Sequence, residues 1–167
     1  MAGMAPSGTW EVVERRPEMD VTRISFDDLK SYWVEFDHFG DPDKKIREVV
    51  RRLGPYESAI TDPRRASYGL FDGEQLVGVT HLVQWNDSWV RYRTLNVSRT
   101  HRGRDLGWLL LRSAIDTDWR DWKTADKYVF GWVRRDHQAW SIAHDFKPFD
   151  GRWHDNHIAM VKPLSEF

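Results

Sequence analysis

The strongest constraint on this chain is a change of hydrophobic period near residue 66. Ala66 to Phe71 alternates, Asp72-Gly73 interrupts, and Gln75 to Trp85 alternates again. An Asp-Gly pair between two alternating runs predicts a β-hairpin, because tight hairpin turns need positive φ and these residues supply it. Asn86-Asp87-Ser88 marks the next turn. Trp89 to Val97 then places Val90, Tyr92, Thr94 and Asn96 on one face and Trp89, Arg91, Arg93, Leu95 and Val97 on the other. This is a third antiparallel strand.

Around this meander the period is helical. Val21 to Ile24 alternates briefly, and Ser25-Phe-Asp-Asp28 is a capping-box pattern that starts a helix carrying Leu29, Trp33 and Phe36 on one side and ending near Gly40. A second helix places Ile46, Val49, Val50 and Leu53 on one face before Gly54-Pro55 stops it. Its other face is charged, as a solvated helix surface is. Downstream of the strands, a loop from Ser98 to Asp105 leads into a helix from about Leu106 to Trp122 with Leu111, Ile115, Trp119 and Trp122 along one side. Lys127 to Val133 reads as a strand, Asp136 to Asp145 as a short helix, and His157 to Lys162 as the last strand. The stretch Trp10 to Arg16 suits either strand or helix, and residues 1–9 read as a disordered tail. The expected fold class is α+β: a mixed, mostly antiparallel sheet flanked by helices, in the order β(αα)βββαβαβ, with residues 10–167 as a single domain.

Composition narrows the chemistry. The chain has 167 residues, 25 Lys+Arg against 26 Asp+Glu, no Cys and 10 Trp. Without cysteine there is no disulfide framework, thiolate nucleophile or thiolate-ligated metal. A net charge of -1 speaks against a general nucleic-acid binder. No apolar run approaches the ~20 residues of a membrane span, so the expectation is a cytoplasmic protein with neither nucleic-acid nor membrane partners.

The segment Leu95-Asn-Val-Ser-Arg-Thr-His-Arg-Gly-Arg-Asp-Leu-Gly107 carries the chemistry. It takes a strand through an Arg- and Gly-containing loop directly onto an amphipathic helix. The unpaired amides and positive dipole end at such a helix start suit an anion, and Arg99, Arg102 and Arg104 add charge. The segment reads equally as a plain strand-to-helix loop with solvated arginines.

At these residues the sequence resembles the GNAT superfamily of N-acetyltransferases. Arg102-Gly-Arg-Asp-Leu-Gly107 matches the family's Arg/Gln-x-x-Gly-x-Gly/Ala signature at the Arg, at a commonly seen second-position Gly and at the last Gly, and Leu95-x-Val97 supplies the preceding strand end. The element order and Gly78 in the second hairpin arm also fit. The resemblance implies acetyl-CoA or another acyl-CoA as co-substrate, with Leu95, Asn96 and Val97 holding the pantetheine and Arg102, Gly103, Arg104, Asp105, Leu106 and Gly107 the pyrophosphate. It implies direct acyl transfer to a primary amine of a small molecule, a protein lysine or an N-terminus, by a monomer or homodimer. The absence of cysteine agrees with a mechanism lacking a covalent enzyme intermediate.

The sequence also departs from the family pattern. Asp105 stands at the signature's first Gly, where a carboxylate would repel pyrophosphate or occupy amides as an N-cap, unless it turns outward to Arg102 or Arg104. Asp136 takes the place of a frequent Asn and is a further cofactor-binding candidate. Ala143 stands where many members have the Tyr that protonates the thiolate, and Arg91 where the histone-modifying branch has a Glu base. Replacement catalytic candidates are Tyr92, His81 and His144, with His137 beside them. His154 and His157, on one strand, would point to opposite faces, so no metal is expected. Most tryptophans read as core, whereas Trp85 and Trp153, on loops, are candidates to wall an acceptor pocket. Asp27, Asp28, Glu35, Asp37, Asp41 and Asp43 form an acidic strip that would attract a cationic acceptor such as a polyamine or aminoglycoside. The alternatives are a catalytically degenerate domain that binds a CoA ligand or a protein, and a local nucleic-acid contact through the arginines of the 91–104 segment.

Overall fold

In the computed structural model the residues described are 19–25, 28–29, 32, 65–124 and 126–167. The hairpin forms where the alternation demands it: β2 (Arg65–Asp72) pairs antiparallel with β3 (Gln75–Gln84). The turn sits one residue later than Asp72-Gly73, because Asp72 still pairs with Gln75 and Gly73 takes the first turn position at φ +62°. β1 (Met19–Ile24) adds to the free edge of β2, and β4 (Trp89–Val97) to that of β3, both antiparallel.

After β4 the chain makes a 3-10 turn, Arg99–His101, and α1 (Leu106–Asp118). It then returns as β5 (Tyr128–Arg134), parallel to β4, the one parallel pairing among the described strands. A 3-10 turn, Arg135–His137, leads into α2 (Gln138–Ala143), and β6 (Lys147–His154) and β7 (His157–Pro163) close the chain. The sheet order is β1-β2-β3-β4-β5-β7-β6. The fold is the mixed, mostly antiparallel α+β class expected.

α1 buries Leu110, Leu111, Ala114 and Ile115 against Tyr68, Leu70, Leu82, Val90, Tyr92 and Val129. Each fully buried aliphatic side chain contributes about 1.5–3 kcal/mol. This face is the main core. On the opposite face Ile24, Leu29, Leu76 and Val79 form a smaller cluster that Tyr32 and Phe71 join edge to face. Asp28 N–H donates to Ser25 Oγ at 3.1 Å, the N-cap bond that the capping-box pattern called for. The rest of the expected helices over 28–40 and 46–53, most of the acidic strip, Trp10 to Arg16 and residues 1–9 lie outside the described residues.

The structure corrects several expectations. β6 adds a strand to the expected order: Lys147–His154 is exposed almost throughout and interrupted by Pro148 and Gly151, so it carries no alternation, and an edge strand tolerates both residues. The Asp155-Asn156 turn then makes His154 and His157 directly paired neighbours across the β6–β7 hairpin, rather than residues of one strand facing opposite ways. Trp153 likewise belongs to β6 and not to a loop. α1 stops at Asp118, and Arg120–Trp122 forms a separate 3-10 turn. The expected helix over 136–145 divides into a 3-10 turn and a shorter α2. Asp145 ends α2 at φ 66°, and Phe146 N–H closes back on Ser141 C=O at 2.9 Å.

Candidate active site

β4 and β5 are registered only at Trp89 with Tyr128, Val90 with Val129 and Arg91 with Phe130. Beyond these pairs the strands part, and both continue. The residue that occupies the fork is Tyr92. Its ring lies over Gly131, where a Cβ would come within 2.2 Å of the ring. Gly131 is thus a packing requirement: only a bare Cα admits the tyrosine.

The parting opens a cleft of about 940 Å³. One wall is β4 from Arg91 to Val97, and the far wall is built by Trp132, Val133 and Arg134 of β5 with Trp140 and Ser141 of α2. The strict alternation expected of β4 fails within this wall. Val79 pairs with Asn96 and His81 with Arg93, so Thr80 faces two residues, Thr94 and Leu95. Thr94 takes φ 55°, an uncommon conformation for a β-branched residue, and the bulge resets which faces Leu95, Asn96 and Val97 present.

The cleft ends at the loop before α1. Ser98 N–H donates to Val77 C=O at 2.7 Å, and the Arg102 side chain returns to the strand end, with Nε donating to Val97 C=O at 2.9 Å and a terminal nitrogen to Asn96 Oδ1 at 3.3 Å. His101 is buried at the centre of the loop. Its Nε2 pairs with Asp72 Oδ2 at 2.9 Å and its Nδ1 with Thr100 Oγ1 at 2.9 Å, which ties the loop to the β2–β3 turn.

Asp105 has φ 57° and ψ 27°, a left-handed conformation, and makes no side-chain cap on α1. Glycine is the usual residue for such a backbone, and Asp is among the few others that adopt it. The sequence leads us to expect its carboxylate at the α1 amides or turned outward to Arg102 or Arg104, and it does neither. Instead it accepts from His144 Nε2 at 2.8 Å, and the His144 ring stacks on Trp108 at 4.5 Å. The helix N-terminus keeps its amides free of this carboxylate.

Of the residues singled out in the sequence, Leu95, Asn96, Val97, Arg102, Gly103, Asp105, Leu106 and Gly107 come together on the cleft. Arg104 and Asp136 are exposed and outside its lining, and Asp136 pairs with Arg134 at 3.1 Å. Tyr92 forms the floor. Burial pushes its hydroxyl up to about 12, offset in part by the nearby Ser141 hydroxyl. His81 is buried outside the cleft lining against Ser67 Oγ, 2.9 Å from its Nδ1. Burial first, and the Arg93 charge second, bring His81 down to about 3, so the imidazole is neutral. His144 is committed to Asp105 rather than to the cleft, while His137 does line it. Trp85 and Trp153 do not line it either; Trp85 lies under Arg91 and Trp153 under Arg135.

Sequence reasoning missed Ser141. The expected acid position, Ala143, is exposed, and Ser141 is the buried α2 residue that reaches the cleft. The 3-10 turn before α2 changes the helical phase, and two residues on a helix are about 200° apart. His101, Trp132, Arg134 and Trp140 were also passed over, since nothing local marks them.

The family model for the Acetyltransferase (GNAT) family matches residues 26–143. No curated protein matches the sequence. Among solved structures, an acetyltransferase from Thermus thermophilus is similar with a TM-score of 0.63 at 21% identity, over 87% of this chain and 96% of that one. A PaiA N-acetyltransferase from Thermoplasma acidophilum in complex with coenzyme A gives a TM-score of 0.61 at 14% identity, over 87% and 99%. An IAA acetyltransferase from Bacillus cereus gives 0.59 at 16%, over 86% and 98%. At these identities the likeness is one of fold.

Proposed function

Because the chain belongs to the GNAT family of acetyltransferases, we propose that it moves an acyl group, acetyl in the simplest case, from acyl-CoA directly to a primary amine. The observation that carries this reading is the parting of β4 from β5 onto a cleft that ends at the N-terminal amides of α1, which the Asp105 side chain does not cap.

The residues present fit such a donor. Beyond Arg91 the β5-facing edge of β4 has no strand partner among the described residues, so backbone groups of Leu95 and the Val97 N–H are available to a pantetheine arm, while Asn96 between them pairs with Val79 of β3 and the Val97 carbonyl accepts from Arg102. A Cβ on Gly107 would meet Trp140 at 3.8 Å, an ordinary contact, so packing within the protein does not require the bare Cα there. Gly103, Leu106 and Gly107 offer amides to a pyrophosphate at the positive end of α1. The Arg102 bonds to Val97 and Asn96 hold the strand end in place, and exposed Arg104 adds positive charge. Asp136 acts through its pair with Arg134.

A bound donor supplies a thioester carbonyl and a thiolate leaving group. Tyr92 Oη, held protonated by burial, is the proton-bearing group at the cleft floor, and Ser141 Oγ sits beside it. His81 and His144 are engaged elsewhere, which leaves Tyr92 as the favoured catalytic residue of the three.

A second reading, donor binding without transfer, is favoured by Arg91 at the base position and by the exposed Ala143. Calorimetry with acetyl-CoA and thiol release with a broad amine panel separate the two. Binding with turnover is expected, and Tyr92→Phe should lower kcat about a hundredfold at unchanged acetyl-CoA affinity. Binding with silence across the panel supports the second reading, and no binding removes both.

A further inference from the structure

Arg91 and Arg93 are adjacent same-side positions on β4, ahead of the bulge, and both line the cleft. Among the described residues neither guanidinium has a carboxylate or hydrogen-bond partner, and Arg91 Nε is buried without one. Arg91 rests on the Trp85 ring at 5.5 Å, and that ring meets Phe130 edge to face at 6.0 Å. Two like charges held side by side in a partly desolvated cleft repel each other, and a bound oxyanion would relieve that repulsion.

The donor cannot be that anion. Its phosphates all lie at the nucleotide end, for which the α1 loop is built, and its pantetheine arm is uncharged. Along β4, Arg93 precedes Val97 by about 13 Å and Arg91 by about 20 Å at strand rise, toward the closed end of the fork. We propose that Arg91 and Arg93 form a receptor for an oxyanion, a carboxylate or a phosphate, carried by the amine acceptor. This rests on the acyltransfer reading above and adds the acceptor's class to it: an amine that also bears an acidic group. It runs against the polyamine or aminoglycoside suggested by the acidic strip.

The test is steady-state acylation by the full chain with acetyl-CoA. The acceptors are amino acids beside their carboxamides, and aminoalkyl and amino-sugar phosphates beside their dephosphorylated forms. The expected result is at least a tenfold higher kcat/KM for the acid-bearing member of a pair, with the carboxylate and phosphate arms telling which acid is read. Arg91→Gln and Arg93→Gln should abolish that preference through the acceptor's KM while leaving acetyl-CoA affinity unchanged. That affinity, together with thermal unfolding, shows that each variant is folded; Arg93→Lys keeps the charge and should retain part of the preference. Equal or better use of neutral or cationic amines overturns the inference. So does a chain that binds acetyl-CoA but acylates no acid-bearing amine, a result that leaves the donor site intact. If both Gln variants instead lose only the use of succinyl-CoA, the anion belongs to the acyl chain and the inference falls. Failure to bind acetyl-CoA at all would sink the acyltransfer reading and this inference with it.

Discussion

At position 105 the backbone constrains the residue before any ligand does. A left-handed φ of 57° excludes most side chains, and Asp is tolerated there while its carboxylate is drawn off to His144. Asp105→Gly should therefore keep the loop, remove a partly exposed pair contributing at most about 1 kcal/mol, and change acetyl-CoA affinity less than threefold by calorimetry. A large tightening would mean that the carboxylate opposes the pyrophosphate. His81 gives a pH prediction. Its folded value of about 3 lies below the unfolded 6.5, so the unfolded chain binds the extra proton between those limits. His81 therefore costs stability as pH falls below 6.5, by up to about 1.4 kcal/mol per pH unit. Urea unfolding of wild type and His81→Gln should show the wild type losing stability faster between pH 6.5 and 4. Parallel curves would clear His81 of that role.

At the scale of elements, the cleft exists because two strands that start as neighbours stop being so. The fork is wedged by Tyr92 over Gly131 and shaped by the bulge at Thr94, and neither is written in the hydrophobic pattern of β4. Gly131→Ala should drive the ring from the fork. Overpacking of this kind costs about 1–3 kcal/mol, and acetyl-CoA affinity should fall as the floor shifts. Chemical denaturation with calorimetry reads both effects, and unchanged values would show that the fork does not depend on the bare Cα. The same limit explains Ser141 and β6. The apolar periodicity of 136–145 locates a helix but not the 3-10 turn that sets its phase, and a solvated edge strand has no face to bury.

At the scale of the whole molecule, one buried cation joins the sheet to the helical layer. Lys162 of β7 is 3% exposed; its Nζ donates to the His144 carbonyl at 2.8 Å, 5.1 Å from the centre of the Trp108 ring and 5.5 Å from that of Phe167. It holds the end of α2, and through His144 the Asp105 tether at the start of α1. Lys162→Leu leaves that carbonyl without its side-chain donor and should cost about 1–3 kcal/mol, together with weaker acetyl-CoA binding. If the thermal midpoint and the binding both stay where they are, the two layers are held by apolar packing alone.

The sequence by itself determined the hairpin, the strand–loop–helix segment, the buried face of α1 and the family, because each rests on local periodicity or on a contiguous motif. It also brought residues 95–97 and 102–107, proposed above to hold the donor, into view, since they are consecutive along the chain. Only the tertiary structure decided what stands across from them. That Arg91 and Arg93 face the cleft with no carboxylate partner among the described residues, that Asp105 turns to His144, and that Ser141 rather than Ala143 reaches the cleft depend on strand register, bulges and helix phase. Those are set by packing between segments far apart in sequence, to which a one-dimensional pattern is blind.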